Sequence, residues 1–161
     1  MRLPPFQALL DSHGSDVYRF LVASVGHVEA DDCYQEACIA ALRAYPQLRH
    51  SDNLRAWFLR IAQRKAIDAH RARGRRAVPV GGPPEPGGPG GAAASQAALD
   101  SEPELWAAVR ALPPKQRGAV FMRSVLGLPY GEVARALDSS EEAARRNVHE
   151  GLATLKKEWT P

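Results

Sequence analysis

Residues 130–155 read YGEVARALDSSEEAARRNVHEGLATL, and this stretch decides the architecture of the C-terminal part of the chain. Its first eight residues carry apolar side chains three and four positions apart, which predicts a short amphipathic helix with a stripe of Tyr130, Val133, Ala134 and Leu137. The polar break Asp138-Ser139-Ser140 follows, and a longer amphipathic segment comes after it. Two such helices joined by a short polar turn are typical of a helix-turn-helix.

The residues around the break fit this motif. Ala134 is small enough to let two helices approach each other closely. Asp138 stands where the chain must turn, and aspartate is one of the few residues that tolerate a left-handed backbone. Ser140 precedes the second helix and is a good N-cap residue. In that helix we expect the buried side to consist of Ala144, Val148, Gly151, Leu152 and Leu155.

The other face of the second helix is rich in hydrogen-bonding groups. Arg145, Arg146 and His149 would offer donors to base edges and phosphates if this helix lay in a major groove. Glu142 would accept a hydrogen bond from a cytosine amine. The same pattern also fits the solvated face of a helical hairpin, and the paired acids Glu141 and Glu142 oppose the approach of phosphates.

Helical patterns fill the rest of the chain apart from one segment. Upstream we predict helices over residues 5–24, 28–45 and about 52–73, and ahead of the motif over residues 103–112 and 114–126. The motif itself supplies helices over residues 130–137 and 141–158. No stretch alternates apolar and polar residues for long enough to predict a strand, so the predicted fold class is all-α.

The exception is the segment that contains VGGPPEPGGPGG at residues 80–91, a composition that holds neither a helix nor a strand. We therefore predict two small helical domains, a first module of residues 1–76 and a second module of residues 103–161, joined by a flexible linker of residues 77–102. The linker is either a passive tether or a segment that follows a groove of a partner. Residues 77–104 hold four acids and no base, so two basic modules flank an acidic connector.

Composition excludes several classes of protein. The 21 basic and 18 acidic residues give a net charge of +3, which is too mild to establish nucleic-acid binding. Cys33 and Cys38 fall on different faces of a helix and the histidines are scattered, so we expect no metal site and no cofactor. No run approaches the roughly 20 apolar residues that cross a bilayer, and residues 1–10 lack a signal pattern. We expect a cytoplasmic protein without membrane insertion.

The third predicted helix interleaves basic and aromatic residues. Arg60, Arg64 and Lys65 lie around an apolar anchor that includes Trp57. Cations follow a nucleic-acid backbone while aromatic faces stack on unpaired bases, so this helix suits a single strand. The alternative is an exposed basic helix with Trp57 in the core.

The second predicted helix carries the acidic run DDCYQE at residues 31–36. Asp32 and Glu36 are one turn apart and face the same way. Paired carboxylates occur in catalytic sites, but no nucleophile, metal-ligand set or phosphate-binding glycine loop accompanies this pair. We interpret it as a protein-docking or solvated face, and we do not expect an enzyme.

Four stretches, in this order and spacing, closely resemble RNA polymerase sigma factors of the extracytoplasmic-function (ECF) group. They are VYRF at 17–20, DDCYQEA at 31–37, NLRAWFLRIA at 53–62 with its continuation to Asp68, and ALPPKQR at 111–117. The resemblance covers nearly the whole chain apart from the linker. It implies that the first module is a sigma region 2 domain and that the second module is a sigma region 4 domain.

The resemblance also implies roles for particular residues. Docking on the β′ coiled coil of core RNA polymerase is implied for Asp31, Asp32, Gln35 and Glu36. Recognition and opening of the minus-ten element are implied for Tyr45, Asn53, Trp57, Arg60, Arg64 and Lys65. Duplex recognition of the minus-thirty-five element is implied for Glu142, Arg145, Arg146 and His149. The β flap of polymerase and an anti-sigma factor are further implied partners, and the chemistry of transcription stays with polymerase.

Two other interpretations stay open. A helix-turn-helix repressor or activator would bind DNA without polymerase, but it would need a dimer interface or an effector pocket, and the sequence indicates neither. A sigma-like regulator without initiation activity would fit the acidic start of the reading helix.

Overall fold

The structure is a computed structural model that describes residues 3–49, 52–75 and 102–158. Its helices are α1 (Phe6–Val25), α2 (His27–Ala44), α3 (Leu54–Arg75), α4 (Pro103–Ala111), α5 (Pro114–Val120), α6 (Tyr130–Leu137) and α7 (Glu141–Glu158). A 3₁₀ turn, Tyr45–Gln47, follows α2, and a π-helical turn, Phe121–Val125, follows α5. These ranges contain no strand, which confirms the all-α prediction for them.

The first module is built from α1, α2 and α3, which pack on one another. Val17 and Phe20 of α1 and Phe58 of α3 are completely buried in one apolar cluster. The buried positions of α2 are small, for example Ala37, so that this helix lies close to the other two. Gly26 separates α1 from α2 with φ 85°, a left-handed conformation in which a side chain would be strained.

The turn of the helix-turn-helix, between α6 and α7, has the predicted local chemistry. Asp138 ends α6 in the left-handed conformation, with φ 55° and ψ 49°. The Ser140 hydroxyl oxygen accepts a hydrogen bond from the Ala143 backbone N–H at 3.1 Å, which caps α7. Ala134 is buried where α6 packs against its neighbours. These three predictions are confirmed.

The buried side of α7 differs from the prediction at one position. Ala144, Val148, Gly151 and Leu155 are buried, as expected. Leu152 is 44% exposed, so its placement on the buried side was wrong. One step of about 100° along a helix separates Leu152 from Gly151, and that step carries its side chain past the contact with α5 and α6.

The two modules pack against each other, an arrangement that the sequence does not predict. The Phe20 and Phe121 rings meet edge to face with centroids 5.9 Å apart, and both side chains are buried. The Gln63 amide nitrogen of α3 donates to the Pro114 carbonyl at the start of α5, at 3.1 Å. One cluster of buried residues therefore extends through both modules. The predicted linker, residues 77–102, lies outside the described residues except for its last position.

None of the helices described is long and apolar enough to cross a membrane.

Candidate nucleic-acid interface

The first part of the candidate interface is a cleft between α3 and α6, which we call the interdomain cleft. It has a volume of about 410 Å³, and its α3 wall carries Asn53, Trp57 and Arg60. The opposite wall comes from α6 and the turn after it, and includes Arg135 and Asp138. Three of the six residues predicted for the minus-ten element thus lie together.

The remaining three lie elsewhere. Arg64 is exposed and Lys65 is partly buried, one turn or more beyond Arg60 along α3, and neither lines the interdomain cleft. Tyr45 is buried in the 3₁₀ turn behind Trp57. The structure therefore separates the predicted minus-ten set into a cleft group, a basic extension of α3 and a buried tyrosine.

The Trp57 side chain is part of the core and is also accessible, so it fits both interpretations that the sequence left open. On one side its ring packs on the core, with its centroid 6.0 Å from that of Tyr45. Tyr45 is held in turn by Phe6, whose ring lies 5.4 Å away, and by a hydrogen bond from its hydroxyl to the Pro4 carbonyl. On the other side Trp57 lines the interdomain cleft. The ring is thus supported from behind while part of it stays accessible.

Asn53 lies at the start of α3 in a left-handed conformation, with φ 55°. Its carbonyl accepts the Trp57 backbone N–H at 3.0 Å, which begins the helix. In the amide orientation that satisfies its neighbours, its nitrogen donates to Glu132 Oε1 at 3.0 Å and its oxygen accepts from Arg135 Nη1 at 2.7 Å. Both hydrogen bonds of this amide are therefore directed at α6.

Ion pairs join the same two walls. Arg55 Nη2 lies 3.0 Å from Glu132 Oε2, and Arg55 Nη1 lies 4.0 Å from Asp16 Oδ2 of α1. Arg60 Nη2 lies 3.4 Å from Asp138 Oδ2. Sequence reasoning missed Arg55, Glu132 and Asp138 as interface residues. Contacts between residues so far apart in the chain leave no local pattern that would have indicated them.

The second part of the candidate interface is the outer face of α7. Glu142, Arg145, Arg146 and His149 are all exposed there. Arg145 is held by an ion pair with Glu141 at 3.4 Å, and its guanidinium lies 4.9 Å from the centre of the Tyr130 ring. The predicted reading residues therefore share one accessible face, and one of them already has an acidic neighbour.

The acidic residues of α2 lie in two environments. Asp31 accepts a hydrogen bond from the Tyr18 hydroxyl at 2.7 Å, and burial together with this bond raises the pKa of Tyr18. Asp32 and Glu36 are exposed and line an open pocket with Asp68 of α3. Asp31 is therefore partly buried and bonded within the fold, whereas Asp32 and Glu36 are exposed.

The same surface of α2 includes two apolar side chains that sequence reasoning missed. Ile39 is 51% exposed and Leu42 is 54% exposed. With Gln35, which is also exposed, they follow a helical spacing of four and three residues. The helical periodicity of α2 could have indicated them, because Ala37 and Ala41 belong to its buried side and Ile39 and Leu42 lie off that side.

A further groove lies in the second module among α4, the π-helical turn and α7. It is almost entirely apolar and is lined by Leu105, Trp106, Val109, Val120, Phe121, Ser124, Val125, Leu152, Leu155 and Lys156. Leu152 and Val125 are the most exposed of its large apolar side chains. An accessible apolar groove of this kind suits the apolar face of a helix.

Within the part of the chain that the structure describes, no group of three or more histidines, cysteines and carboxylates is arranged to hold a metal ion. Cys33 is buried, and burial, followed by the nearby Glu29 and Glu36 carboxylates, raises the pKa of its thiol to about 11. A thiol of this kind stays protonated near neutral pH and is a poor nucleophile.

Two family models match the chain. The model described as Sigma-70 region 2 matches residues 9–76, and the model described as Sigma-70, region 4 matches residues 103–155. The α3 wall of the interdomain cleft thus falls in the first matched region, whereas its α6 wall and the outer face of α7 fall in the second.

Curated relatives are similar over most of the chain. The ECF RNA polymerase sigma factor SigD of Mycobacterium tuberculosis is 38% identical over 151 residues, which cover 88% of this chain and 71% of the relative. The ECF RNA polymerase sigma factor SigX of Bacillus subtilis is 28% identical over 174 residues, which cover 94% of this chain and 82% of the relative.

Solved structures share the fold. The sigma factor RpoE of Bartonella quintana, solved with the anti-sigma factor NepR, matches with a TM-score of 0.69 and 18% identity, over 94% of each chain. CnrH, solved with the cytosolic domain of CnrY, matches with a TM-score of 0.68 and 21% identity, over 94% of this chain and 85% of the other.

Proposed function

Because the chain belongs to the ECF group of RNA polymerase sigma factors, we propose that it binds core RNA polymerase and directs it to promoters through two separate DNA-recognition surfaces. The observation that carries this proposal is the pair of family matches, which place the α3 surface in region 2 and the α7 surface in region 4. A helix-turn-helix regulator that acts without polymerase would account for only the second match, the one that includes α7. The chain is assigned no catalytic residue, since the chemistry belongs to polymerase, and it would act in the cytoplasm with that enzyme.

For the minus-ten element, we propose that α3 and the residue before it hold the melted strand. The accessible part of the Trp57 ring is suited to stack on an unpaired base, while Tyr45 supports it from the core. Asn53 offers an amide to a base edge, and Arg60, Arg64 and Lys65 offer cations to the backbone. Binding energy directed at an extruded base favours the open strand over the duplex.

For the minus-thirty-five element, we propose that α7 enters the major groove of duplex DNA. The exposed Arg145, Arg146 and His149 supply donors, and Glu142 supplies an acceptor. Arg145 must exchange its ion pair with Glu141 for a base or a phosphate, which lowers the net gain from that contact.

For polymerase, we propose that α2 docks on the β′ coiled coil and that the apolar groove of the second module receives a helix of the β flap. Asp32, Gln35 and Glu36 supply the polar part of the α2 surface, and Ile39 and Leu42 supply its apolar part. Asp31, which is partly buried and accepts the Tyr18 hydroxyl, is proposed at the edge of the same surface. An anti-sigma factor is a further proposed partner, because the solved sigma factor RpoE was captured with one.

The test is co-elution with core RNA polymerase on a sizing column. We expect the wild-type chain to co-elute and the variant Asp32→Lys/Glu36→Lys to lose binding by at least about tenfold, because two interface charges are reversed. The matched control is Asp11→Lys/Glu158→Lys, which makes the same charge change at exposed positions on other helices. Failure of the wild-type chain to co-elute would refute the proposed function. Equal loss in both variants would remove α2 from the interface.

A further inference from the structure

A group of basic side chains, which we call the junction cluster, lies where α3 meets the second module and is not used by the surfaces proposed for DNA or polymerase. It consists of His70 and Arg73 in the last two turns of α3, Arg110 in the last turn of α4, and Arg117 in α5. Arg117 Nη1 donates to the Arg110 carbonyl at 3.2 Å, so these two residues are neighbours. Burial and then the charge of Arg73 lower the pKa of Arg110, and burial and then the charge of Arg117 lower the pKa of His70. The two pairs therefore act on each other across the contact between the modules.

Arg117 is the buried member of the junction cluster. It is only 3% exposed, and its Nη1 also donates to the Leu112 carbonyl at 3.2 Å. Its Nε and Nη2 are buried and find no hydrogen-bond partner among the described residues. Burial lowers the pKa of this guanidinium to about 10, so it stays charged near neutral pH. A buried cation with unmet donors is costly, and an anion placed beside it offsets that cost.

Carboxylates balance only part of the charge of the junction cluster. Glu29 Oε1 of α2 lies 3.8 Å from Arg73 Nε. Within the described residues, Glu29 is the single acid among the groups that shift the pKa values of the other cluster members. The three guanidiniums and this one carboxylate leave an excess of two positive charges. The His70 ring stays close by, because its Nε2–H donates to the Ser24 carbonyl at 2.6 Å.

We propose that the junction cluster binds a compact phosphate anion, either free or at the end of a nucleotide, and that the bound anion joins α3 to the second module. Guanidiniums recognise phosphates through paired N–H donors. Arg73 is exposed and Arg110 is partly exposed, so both are accessible from solvent, while the charge of the buried Arg117 attracts the anion from beneath. The cations come from three helices instead of following one groove, an arrangement that suits a compact anion better than an extended nucleic-acid strand.

The test titrates the full chain with inorganic pyrophosphate in the absence of divalent cations. Calorimetry gives the dissociation constant, and scanning fluorimetry gives the midpoint of thermal unfolding, with ionic strength held constant by potassium chloride. The variant is Arg73→Gln/Arg110→Gln, which removes the two accessible guanidiniums and leaves Arg117 in place. The matched control is Arg43→Gln/Arg71→Gln, which makes the same change of charge at exposed positions. Position 71 lies about 200° around α3 from position 73.

We expect the wild-type midpoint to rise by roughly 3–6 °C at a pyrophosphate concentration ten times the dissociation constant, because the anion binds the folded chain alone. The variant should bind at least about tenfold more weakly, since charge-assisted hydrogen bonds are lost, whereas the control should stay within about threefold of the wild-type chain. A bound anion also offsets the charge of Arg117, so it should raise the pKa of His70, which proton NMR of the ring measures. Arg73→Glu replaces the double variant if that variant does not fold by circular dichroism.

A second titration with ATP distinguishes the two sources of phosphate. Tighter binding of ATP than of pyrophosphate would identify a nucleotide, and equal or weaker binding would identify the free anion; both outcomes support the site. Equal loss of affinity in the variant and the control would overturn it, because a basic protein attracts polyanions generally. An unchanged unfolding midpoint or an unchanged His70 titration would overturn it as well. A single-stranded oligonucleotide that displaces pyrophosphate from the wild-type chain would assign the junction cluster to a nucleic-acid backbone instead.

Discussion

At the scale of the residue, Trp57 is the side chain on which strand opening is expected to depend. We expect Trp57→Ala to leave binding of core polymerase intact and to reduce strand opening by roughly 5- to 150-fold, because loss of one base–aromatic stack costs about 1–3 kcal/mol. The measurement is permanganate reactivity of thymines in a promoter that the wild-type holoenzyme opens. Trp57→Phe is the control, since it retains a ring against Tyr45. Unchanged opening in the alanine variant would remove Trp57 from the minus-ten surface.

Residues differ in how much of their role can be read from the sequence. The turn at Asp138 and the cap at Ser140 follow from the conformational preferences of single residues, so both were predicted correctly. The pairing of Arg55 with Glu132 was not predicted, because it depends on how the modules are placed. The hydrogen bond of Asp31 with Tyr18 escaped prediction for the same reason, since Tyr18 lies on another helix.

At the scale of the element, the contact between α7 and α5 depends on a glycine. A Cβ at Gly151 would lie 2.5 Å from Val120 Cγ2 and 3.4 Å from the Gln116 carbonyl oxygen. We expect Gly151→Ala to lower the free energy of unfolding by about 1–3 kcal/mol, because overpacking forces the two helices apart. Urea denaturation followed by circular dichroism measures the change.

Gly131→Ala is the control for that measurement, because a Cβ at Gly131 on α6 meets nothing within 4 Å. We expect this variant to be unchanged or more stable by about 0.5–1 kcal/mol, as is usual for alanine in place of glycine within a helix. A loss of stability of the same size in both variants would show that the close approach of α7 to α5 is not what constrains position 151.

Element positions were predictable from periodicity to within a few residues, but the exposure of their borderline residues was not. Pro46 ends α2 as a regular helix, and the chain continues as a 3₁₀ turn. Leu152, Ile39 and Leu42 have the residue types of a core but lie on accessible surfaces. Amphipathic patterns identify the buried stripe of a helix. Whether an apolar residue beside that stripe is buried or exposed depends on how the neighbouring helices pack.

At the scale of the whole molecule, two histidines make stability depend on pH. Burial and the neighbouring Arg55 lower the pKa of His13, while Asp16 and Glu132 oppose this shift less strongly. Burial and then Arg117 lower the pKa of His70, against the opposing hydrogen bond to the Ser24 carbonyl at 2.6 Å and the opposing charge of Glu29. Both folded-state pKa values lie below the unfolded value of about 6.5, so folding favours the neutral rings.

We therefore expect the urea midpoint to be constant above about pH 6.5 and to fall as the pH drops from there towards 5, because the unfolded chain binds protons more readily. The double variant His13→Gln/His70→Gln should show a flatter profile over the same range. A wild-type profile without this decline, or a variant that keeps the wild-type slope, would contradict the assignment to these two rings.

Both modules belong to one chain, and this affects any partner that must separate them. Segments joined by a short connection meet at an effective local concentration on the order of millimolar, whatever the concentration of the protein in the cell. Dilution therefore does not release the contact between Phe20 and Phe121, in contrast to a dimer interface of the same strength. A competitor present at micromolar concentration must bind about a thousandfold more tightly than α6 binds α3 in order to displace it.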